Sequence, residues 1–139
     1  MERNRGFTDC LELAKKPYGM ILADSTTTEE ALENKLKPYL ESDQSTGIFV
    51  CNNWLLDKAY LVLRNYRDLI PQKIGLIGFD SLDWTELVSP SITTIVQPAY
   101  EEGQAAAKIL IDRIENRNEE APNRILKCRI NELDSTRRS

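Results

Sequence analysis

The chain has 139 residues, enough for one domain with a core, and its 41% hydrophobic and 29% charged residues are ordinary for a soluble globular protein. A net charge of −4 argues against a nucleic-acid-binding module, and no apolar run approaches the roughly 20 residues of a membrane helix. Histidine is absent and the three cysteines lack metal-ligand spacing, so we predict no metal site and no imidazole-dependent catalysis.

The N-terminal residues, MERNRGFTDC, are charged and lack the apolar core of a signal peptide, so we expect a cytoplasmic protein. Residues 6–16 predict a first helix, and residues 18–24, YGMILAD, are a short apolar run that predicts a strand. The apolar residues of the first helix lie at helical spacing and are Phe7, Cys10, Leu11 and Ala14.

Residues 27–40 predict a second helix. Thr27, with Glu30 three residues later, forms a predicted capping box at its start. Pro38 predicts a kink or an early end of this helix. Its predicted apolar stripe consists of Leu32, Leu36, Tyr39 and Leu40.

Two further buried strands flank a third helix. The strands are predicted at residues 46–52 and 73–80, and the helix at residues 54–66. The side chains of this helix that we expect to face inward are Leu55, Ala59, Val62, Leu63 and Tyr66.

The last part of the chain is extended, then helical, then extended again. Residues 89–98 are bracketed by prolines, residues 100–117 form the longest predicted helix, and residues 118–122 are a polar loop. Residues 124–130 alternate like a half-exposed strand. The apolar stripe of the long helix consists of Ala106, Ile109, Leu110 and Ile114.

Strands that alternate with helices predict an α/β fold, in which a parallel sheet carries helices on both faces. The continuous apolar strands agree with burial on both sides. In such a sheet ligands bind beyond the carboxyl ends of the strands. The side chains that follow the strands are therefore the first place to look for a site.

Polar side chains follow three predicted strands at their carboxyl ends, as Asp24-Ser25, Asn52-Asn53 and Asp80-Ser81. Such groups accept and donate hydrogen bonds, which suits a sugar or another polyol. The alternative is that they cap the following helices. Ser25 and Asn53 are open to either interpretation, whereas we favour a ligand contact for Asp80. No P-loop or GxGxxG motif accompanies them, so nucleotide binding is not indicated.

The chain resembles the LacI/GalR (lactose-repressor) family of bacterial transcription regulators in four segments: ERNRGF, FVCNN, IGLIGFDSLDWTELVSPSITTIVQPAYEEGQAAAKIL and LDSTR. The resemblance covers nearly the whole chain. It implies a periplasmic-binding-protein-like sensor, whose two α/β lobes close on an effector such as a sugar or nucleobase. It also implies that three parts are absent here: the operator-binding helix-turn-helix, most of the first lobe and the opening strand of the second.

The resemblance further implies a division of the chain. Residues 1–96 correspond to the C-terminal lobe of the effector-binding domain. Residues 97–131 normally belong to the N-terminal lobe, and residues 132–139 return to the C-terminal lobe and form the tail. Since the helix at residues 100–117 then lacks its sheet, we predict that a homodimer or higher oligomer covers its apolar stripe.

Four effector-binding positions are implied by matching motifs: Arg3, Asn52, Asp80 and Ser25. Arg3 lies in an R-x-x-G-F motif and resembles the arginine that grips effector hydroxyls or carboxylates. Asn52 matches the asparagine of an N-D pair, and Asp80 matches the aspartate of G-[FY]-D that holds sugar hydroxyls. Ser25 falls where many members place an aromatic wall, and it offers no stacking face.

Several residues depart from the family pattern and leave the effector's identity open. Asn53 replaces the usual aspartate. Leu56 and Lys58 replace a small alanine and glycine, and Ser81 replaces a frequent second aspartate.

The leading interpretation is the effector-sensing portion of a regulator, with no cofactor and no membrane partner. It would contact operator DNA only through a helix-turn-helix absent from this chain. One alternative is a periplasmic-type sugar-binding protein for transport. Another is a small enzyme that uses Asp24, Asp80 or Asp83, but without histidine or a metal cluster we predict no catalytic residues.

Overall fold

The computed structural model describes residues 2–80, 82–115 and 123–137. Ser81 and the predicted loop at residues 118–122 lie outside these ranges. The α-helices are α1 (Glu2–Leu13), α2 (Glu29–Leu40), α3 (Asn53–Leu63), α4 (Asp83–Leu87) and α5 (Ala99–Ile114). The strands are β1 (Thr46–Phe49), β2 (Ile74–Phe79), β3 (Thr93–Val96) and β4 (Arg129–Asn131). Short 3₁₀ helices span Arg64–Leu69 and Asp134–Thr136.

The strands form one sheet in the order β1-β2-β3-β4. β1, β2 and β3 run parallel, with Ile48 opposite Leu76 and Phe79 opposite Ile95. β4 pairs antiparallel to β3 and is shorter than the predicted strand at residues 124–130. The prediction of an α/β fold built on a parallel sheet is confirmed, with one antiparallel strand at its edge.

The hydrophobic core lies between one face of the sheet and helices α2 and α3. Ile74 and Leu76 of β2 are fully buried there, together with Leu56 of α3. Burying one such aliphatic side chain contributes about 1.5–3 kcal/mol. A Cβ at Gly78 would meet the Cδ atoms of Leu56, so a glycine is needed where α3 crosses β2.

Helix α3 buries a slightly different set of residues from the set predicted. Ala59, Val62 and Leu63 are buried as expected, but Leu56 is fully buried whereas Leu55 is only partly so. Tyr66 lies in the following 3₁₀ helix and donates a hydrogen bond to Glu33 of α2. Leu56 turns inward because Gly78 leaves room for it on the sheet.

Helix α2 begins one residue later than the capping box predicted. Thr28, not Thr27, is its N-cap, and the Thr28 hydroxyl accepts from the Ala31 N–H at 3.1 Å. Thr27 instead binds Asp24 in the preceding turn. Pro38 does not end the helix, since it lies in the last turn and costs a single backbone hydrogen bond there.

The strand predicted at residues 18–24 does not form, so this prediction was wrong. This segment has no regular secondary structure, and the side chains of Met20 and Leu22 are exposed. The Leu22 carbonyl accepts a hydrogen bond from Lys35 Nζ at 2.8 Å, and not from a backbone N–H of a neighbouring strand. The apolar pattern is that of a strand, but the segment pairs with no described strand of the sheet.

Helix α5 forms where the long helix was predicted but has no buried residue. Of its predicted stripe, Leu110 and Ile114 are 62% and 77% exposed, and only Ile109 is partly covered. Across the described ranges, no helix is long and apolar enough to span a membrane.

Candidate functional site

The carboxyl ends of β1, β2 and β3 meet at one rim of the sheet. Asn52 lies beyond β1, Asp80 follows β2, and Gln97 follows β3. All three residues are partly buried. The sheet therefore brings an amide, a carboxylate and a second amide to the edge at which open α/β sheets bind ligands.

Arg3 reaches this rim from the first turn of α1. Its Nη1 donates to the Cys51 carbonyl at 2.9 Å, and its Nη2 donates to Gln97 Oε1 at 3.5 Å. The guanidinium carbon lies 3.6 Å from the centroid of the Phe79 ring, a cation–π contact. Arg3 is thus fixed by two hydrogen bonds and by the Phe79 ring, and it is not a solvent-exposed surface arginine.

Asp80 and Gln97 are joined directly, with 2.5 Å between Gln97 Nε2 and Asp80 Oδ1. Asp80 has a φ of 72°, a left-handed conformation that few residues other than glycine, Asn and Asp adopt easily. Its backbone N–H donates to the Ile95 carbonyl at 2.9 Å. Arg3, Gln97 and Asp80 therefore form one continuous donor–acceptor array.

Asn52 is the N-cap of α3. Its Oδ1 accepts from the Leu55 N–H at 2.9 Å. This capping role occupies the side-chain oxygen and fixes the amide in place, so the Nδ2 group would donate any hydrogen bond to a ligand. Asn53, which the sequence left open, is not the cap; its Oδ1 accepts from the next N–H, that of Trp54.

Ser25 lies apart from this array in an exposed turn. Its carbonyl accepts from Lys58 Nζ at 3.0 Å, and Lys58 also donates to the Thr27 carbonyl at 2.8 Å. Among the described residues, no hydrogen bond joins Ser25 to the other three predicted positions. The cap proposed for it belongs to Thr28. Lys58, which departs from the family pattern, ties this turn to α3.

Asp24 is occupied by the turn in which it lies. Its Oδ1 accepts from the N–H and hydroxyl groups of Thr26 and Thr27. Those hydrogen bonds, led by the Thr26 hydroxyl, lower the pKa of the Asp24 carboxyl below its usual value. In the described part of the chain no group of three or more His, Cys, Asp or Glu side chains could hold a metal ion.

Gln97 and Phe79 were not predicted as site residues. Gln97 could have been found, since it follows β3 at the same sheet edge as the other rim residues. Phe79 has the sequence signature of an ordinary core residue, and only the structure shows Arg3 over its ring.

The fold defines the chain as an open-sheet α/β protein with polar side chains at the carboxyl ends of its parallel strands. The family described as a periplasmic binding protein-like domain matches residues 2–136. The chain belongs to this family, and the predicted resemblance to LacI/GalR regulators is confirmed by its relatives.

Three relatives illustrate the similarity. The ribose operon repressor of Haemophilus influenzae is 33% identical over 79 residues, which are 57% of this chain and 24% of the repressor. A LacI family transcriptional regulator from Enterococcus faecium, solved with bound ribose, has a TM-score of 0.72 and 32% identity, covering 94% of this chain and 49% of that one. A periplasmic binding protein/LacI transcriptional regulator from Alkaliphilus metalliredigens, complexed with D-xylulofuranose, has a TM-score of 0.79 and 26% identity, covering 97% and 51%.

The chain spans only part of these proteins. It covers about a quarter of the first curated relatives and about half of the solved chains.

Proposed function

We propose that this chain is the effector-sensing portion of a LacI-type transcription regulator and that its effector is a sugar or related polyol. The observation that carries the proposal is the array of Arg3, Gln97 and Asp80 at the carboxyl ends of the strands. Donors and acceptors alternate along it, as the hydroxyl groups of a sugar require. Regulators of similar fold and sequence bind ribose and D-xylulofuranose.

Each predicted site residue has a distinct role in this proposal. Asp80 accepts from effector hydroxyls, and Arg3 and the Nδ2 group of Asn52 donate to them. Gln97 connects Arg3 to Asp80 and fixes their spacing. Ser25 contributes a hydroxyl from the neighbouring turn, at a greater distance from the array.

The proposed mechanism is differential affinity. An effector that binds a closed two-lobed cleft better than an open one shifts the protein towards closure. In a regulator this shift would change how DNA-binding headpieces are spaced, which couples the effector site to the operator. Operator contact would be made by a helix-turn-helix, an element that the names of several relatives specify.

The division of the chain into residues 1–96, 97–131 and 132–139 belongs to the same proposal. α5 lies in the middle part and has no buried residue, as expected of a helix whose sheet is elsewhere. We propose that a second copy covers Leu110 and Ile114, giving a homodimer or higher oligomer. A cytoplasmic location and a non-catalytic role follow from assignment to the regulators.

Titration with sugars tests the proposed effector class. We expect pentoses or hexoses to bind with a Kd of about 1 mM or weaker, because one lobe makes only part of the convergent contacts. Ligand-observed NMR detects binding in this range. Micromolar affinity measured by calorimetry would contradict the half-cleft interpretation, and no binding of any sugar at tens of millimolar would contradict the effector class.

A sugar-binding protein for transport is the second candidate, because the Alkaliphilus metalliredigens protein carries both descriptions. The DNA sequence upstream of codon 1 distinguishes the regulator from the transport protein. A reading frame that encodes a helix-turn-helix supports the regulator, whereas one that encodes a signal peptide supports the transporter.

A further inference from the structure

Trp54 is an exposed tryptophan in the first turn of α3. It is 41% exposed, and it is not among the side chains that form the hydrophobic core or pack against it. Within the described ranges, its indole N–H donates to no acceptor. A single exposed apolar side chain is ordinary in a folded protein, so the position of this one decides what it indicates.

Two observations place the indole ring at the rim of the sheet. Trp54 follows the N-cap Asn52 by two residues, and the side chains of a helix tilt towards its N-terminal end. Lys58, one turn further along α3, has its Nζ over the ring, 5.8 Å from the centroid. The same Nζ donates to the carbonyls of Ser25 and Thr27. The ring therefore lies between Asn52 and the turn that contains Ser25.

The array of Arg3, Gln97 and Asp80 is entirely polar. Phe79, the aromatic residue beside it, is covered by Arg3, whose guanidinium carbon lies 3.6 Å from the ring centroid. Sites for small molecules combine a few polar groups with an apolar or aromatic surface. Trp54 offers such a surface next to Asn52, and its N–H is one further donor.

We propose that Trp54 is the stacking residue of the effector site and that the effector is a sugar in its ring form, not an open-chain polyol. This assignment rests on the proposed function, which it narrows. The indole packs against the C–H face of the sugar ring, while Asp80 and Asn52 bind hydroxyls at its edge. An open-chain alditol has the same hydroxyls but no fixed face, and ordering its flexible chain costs additional entropy.

Side-chain NMR of the full chain tests this proposal with matched pairs of ligands. The chain has two tryptophans, so its ¹⁵N-edited spectrum contains two indole signals, which Trp54→Phe and Trp84→Phe assign. The probes are D-ribose, D-xylose, D-glucose and D-galactose, each with the alditol formed by its reduction. With at least one sugar, we expect the Trp54 indole to shift with the same Kd as Gln97 Nε2, and the Trp84 indole to stay in place.

Substitutions separate stacking from an effect on the fold. Trp54→Ala should weaken the binding of that sugar by about tenfold, because the aromatic contact is lost, and should weaken the binding of its alditol by less than about twofold. Trp54→Phe keeps an aromatic face and should retain most of the affinity. Trp84→Phe is the matched control, since Trp84 packs against Tyr60 with 5.3 Å between the ring centroids, and it should leave the Kd unchanged.

The outcomes distinguish this inference from the proposed function. Saturable shifts of Gln97 with an unmoved Trp54 indole, or equal sugar affinity in the wild-type chain and Trp54→Ala, would overturn the stacking role and leave the sugar site in place. Equal weakening of sugar and alditol in Trp54→Ala would also overturn it, because that loss does not depend on the sugar ring. No shift of Gln97 or Trp54 with any of these ligands at tens of millimolar would contradict both proposals.

Discussion

Gln97 at the end of β3 donates a hydrogen bond to Asp80 at the end of β2, with 2.5 Å between Nε2 and Oδ1. The contact links two neighbouring parallel strands at the rim where ligands of open α/β sheets bind. It also connects Asp80 to Arg3 on α1, through the other end of the same amide. A single glutamine thereby sets the spacing of the two charged groups in the proposed effector site.

The left-handed backbone of Asp80 predicts which substitutions the fold tolerates. Asp80→Asn should leave the free energy of unfolding nearly unchanged, since asparagine accepts this conformation. Asp80→Ala should lower it by about 1–2 kcal/mol, because alanine is disfavoured there and loses the bond to Gln97. Urea unfolding measures both. An alanine variant as stable as the asparagine variant would show that the conformation imposes no cost.

The crossing of α3 over β2 predicts a size limit at Gly78. Gly78→Ala should destabilise the chain by about 1–3 kcal/mol, because the new methyl group meets Leu56. Gly75→Ala is the matched control, since its Cβ would enter open space. In a Leu56→Ala background the Gly78→Ala cost should shrink, and a double-mutant cycle by urea unfolding measures this coupling. Additive effects would contradict the contact.

The N-cap of α3 distinguishes two adjacent asparagines. Asn52→Ala should cost about 1 kcal/mol in unfolding free energy, because the Leu55 N–H loses its acceptor. Asn52→Asp should retain most of that stability. Asn53→Ala, which leaves the cap intact, should change stability by less than about 0.5 kcal/mol. A larger loss at Asn53 than at Asn52 would mean that the cap is assigned to the wrong residue.

The Cys51 thiol should react more slowly than the other two thiols. Burial raises its pKa above the ordinary 9.0, and the nearby Arg3 charge only partly opposes this shift. Because the thiolate is the nucleophile, alkylation of Cys51 should need a higher pH than that of a thiol with the ordinary pKa. Cys10 and Cys128 are exposed and therefore more accessible to the reagent. Iodoacetamide labelling followed by peptide mass spectrometry measures the three rates. Arg3→Gln should move the pH dependence of Cys51 alkylation to still higher pH, because the Arg3 charge lowers the pKa of this thiol. A shift to lower pH would contradict that effect of Arg3.

The uncovered face of α5 predicts self-association. In sedimentation velocity at micromolar concentration, the wild-type chain should be a dimer or larger. Leu110→Glu combined with Ile114→Glu should give a monomer, because the charges cannot be buried at the contact. Leu87→Glu, at a residue 83% exposed on α4, is the matched control and should leave the assembly unchanged. A monodisperse wild-type monomer would contradict the prediction.

Periodicity alone predicted helices α1, α2, α3 and α5 and the parallel strands β1 and β2, because the apolar pattern of each lies within its own local sequence. The short helix α4 was not predicted. Residues 18–24 show the limit of this approach. Their apolar pattern is that of a strand, but a strand also needs a partner edge, which no local pattern records. The inward turn of Leu56 likewise depends on Gly78, about twenty residues away along the chain.

The candidate site was predicted in part. Asp80 and Asn52 follow directly from the position of polar residues at strand ends, and Arg3 came from the family resemblance. The place of Arg3 in the array depends on the packing of α1 against β1, and the spacing of residues along the sequence does not encode this packing. Ser25 was grouped with them by the strand-end rule, but its strand did not form and its turn is held by Lys58 instead.

The central claim is that the rim formed by Arg3, Gln97 and Asp80 binds a sugar. It is tested most directly by ¹⁵N-edited NMR of side-chain groups during titration with ribose and a panel of other sugars. We predict saturable shifts of the Gln97 Nε2, Asn52 Nδ2 and Arg3 Nε resonances with at least one sugar, and their loss in the folded Asp80→Asn variant. Shifts confined to other surfaces, or equal shifts in the variant, would contradict the claim.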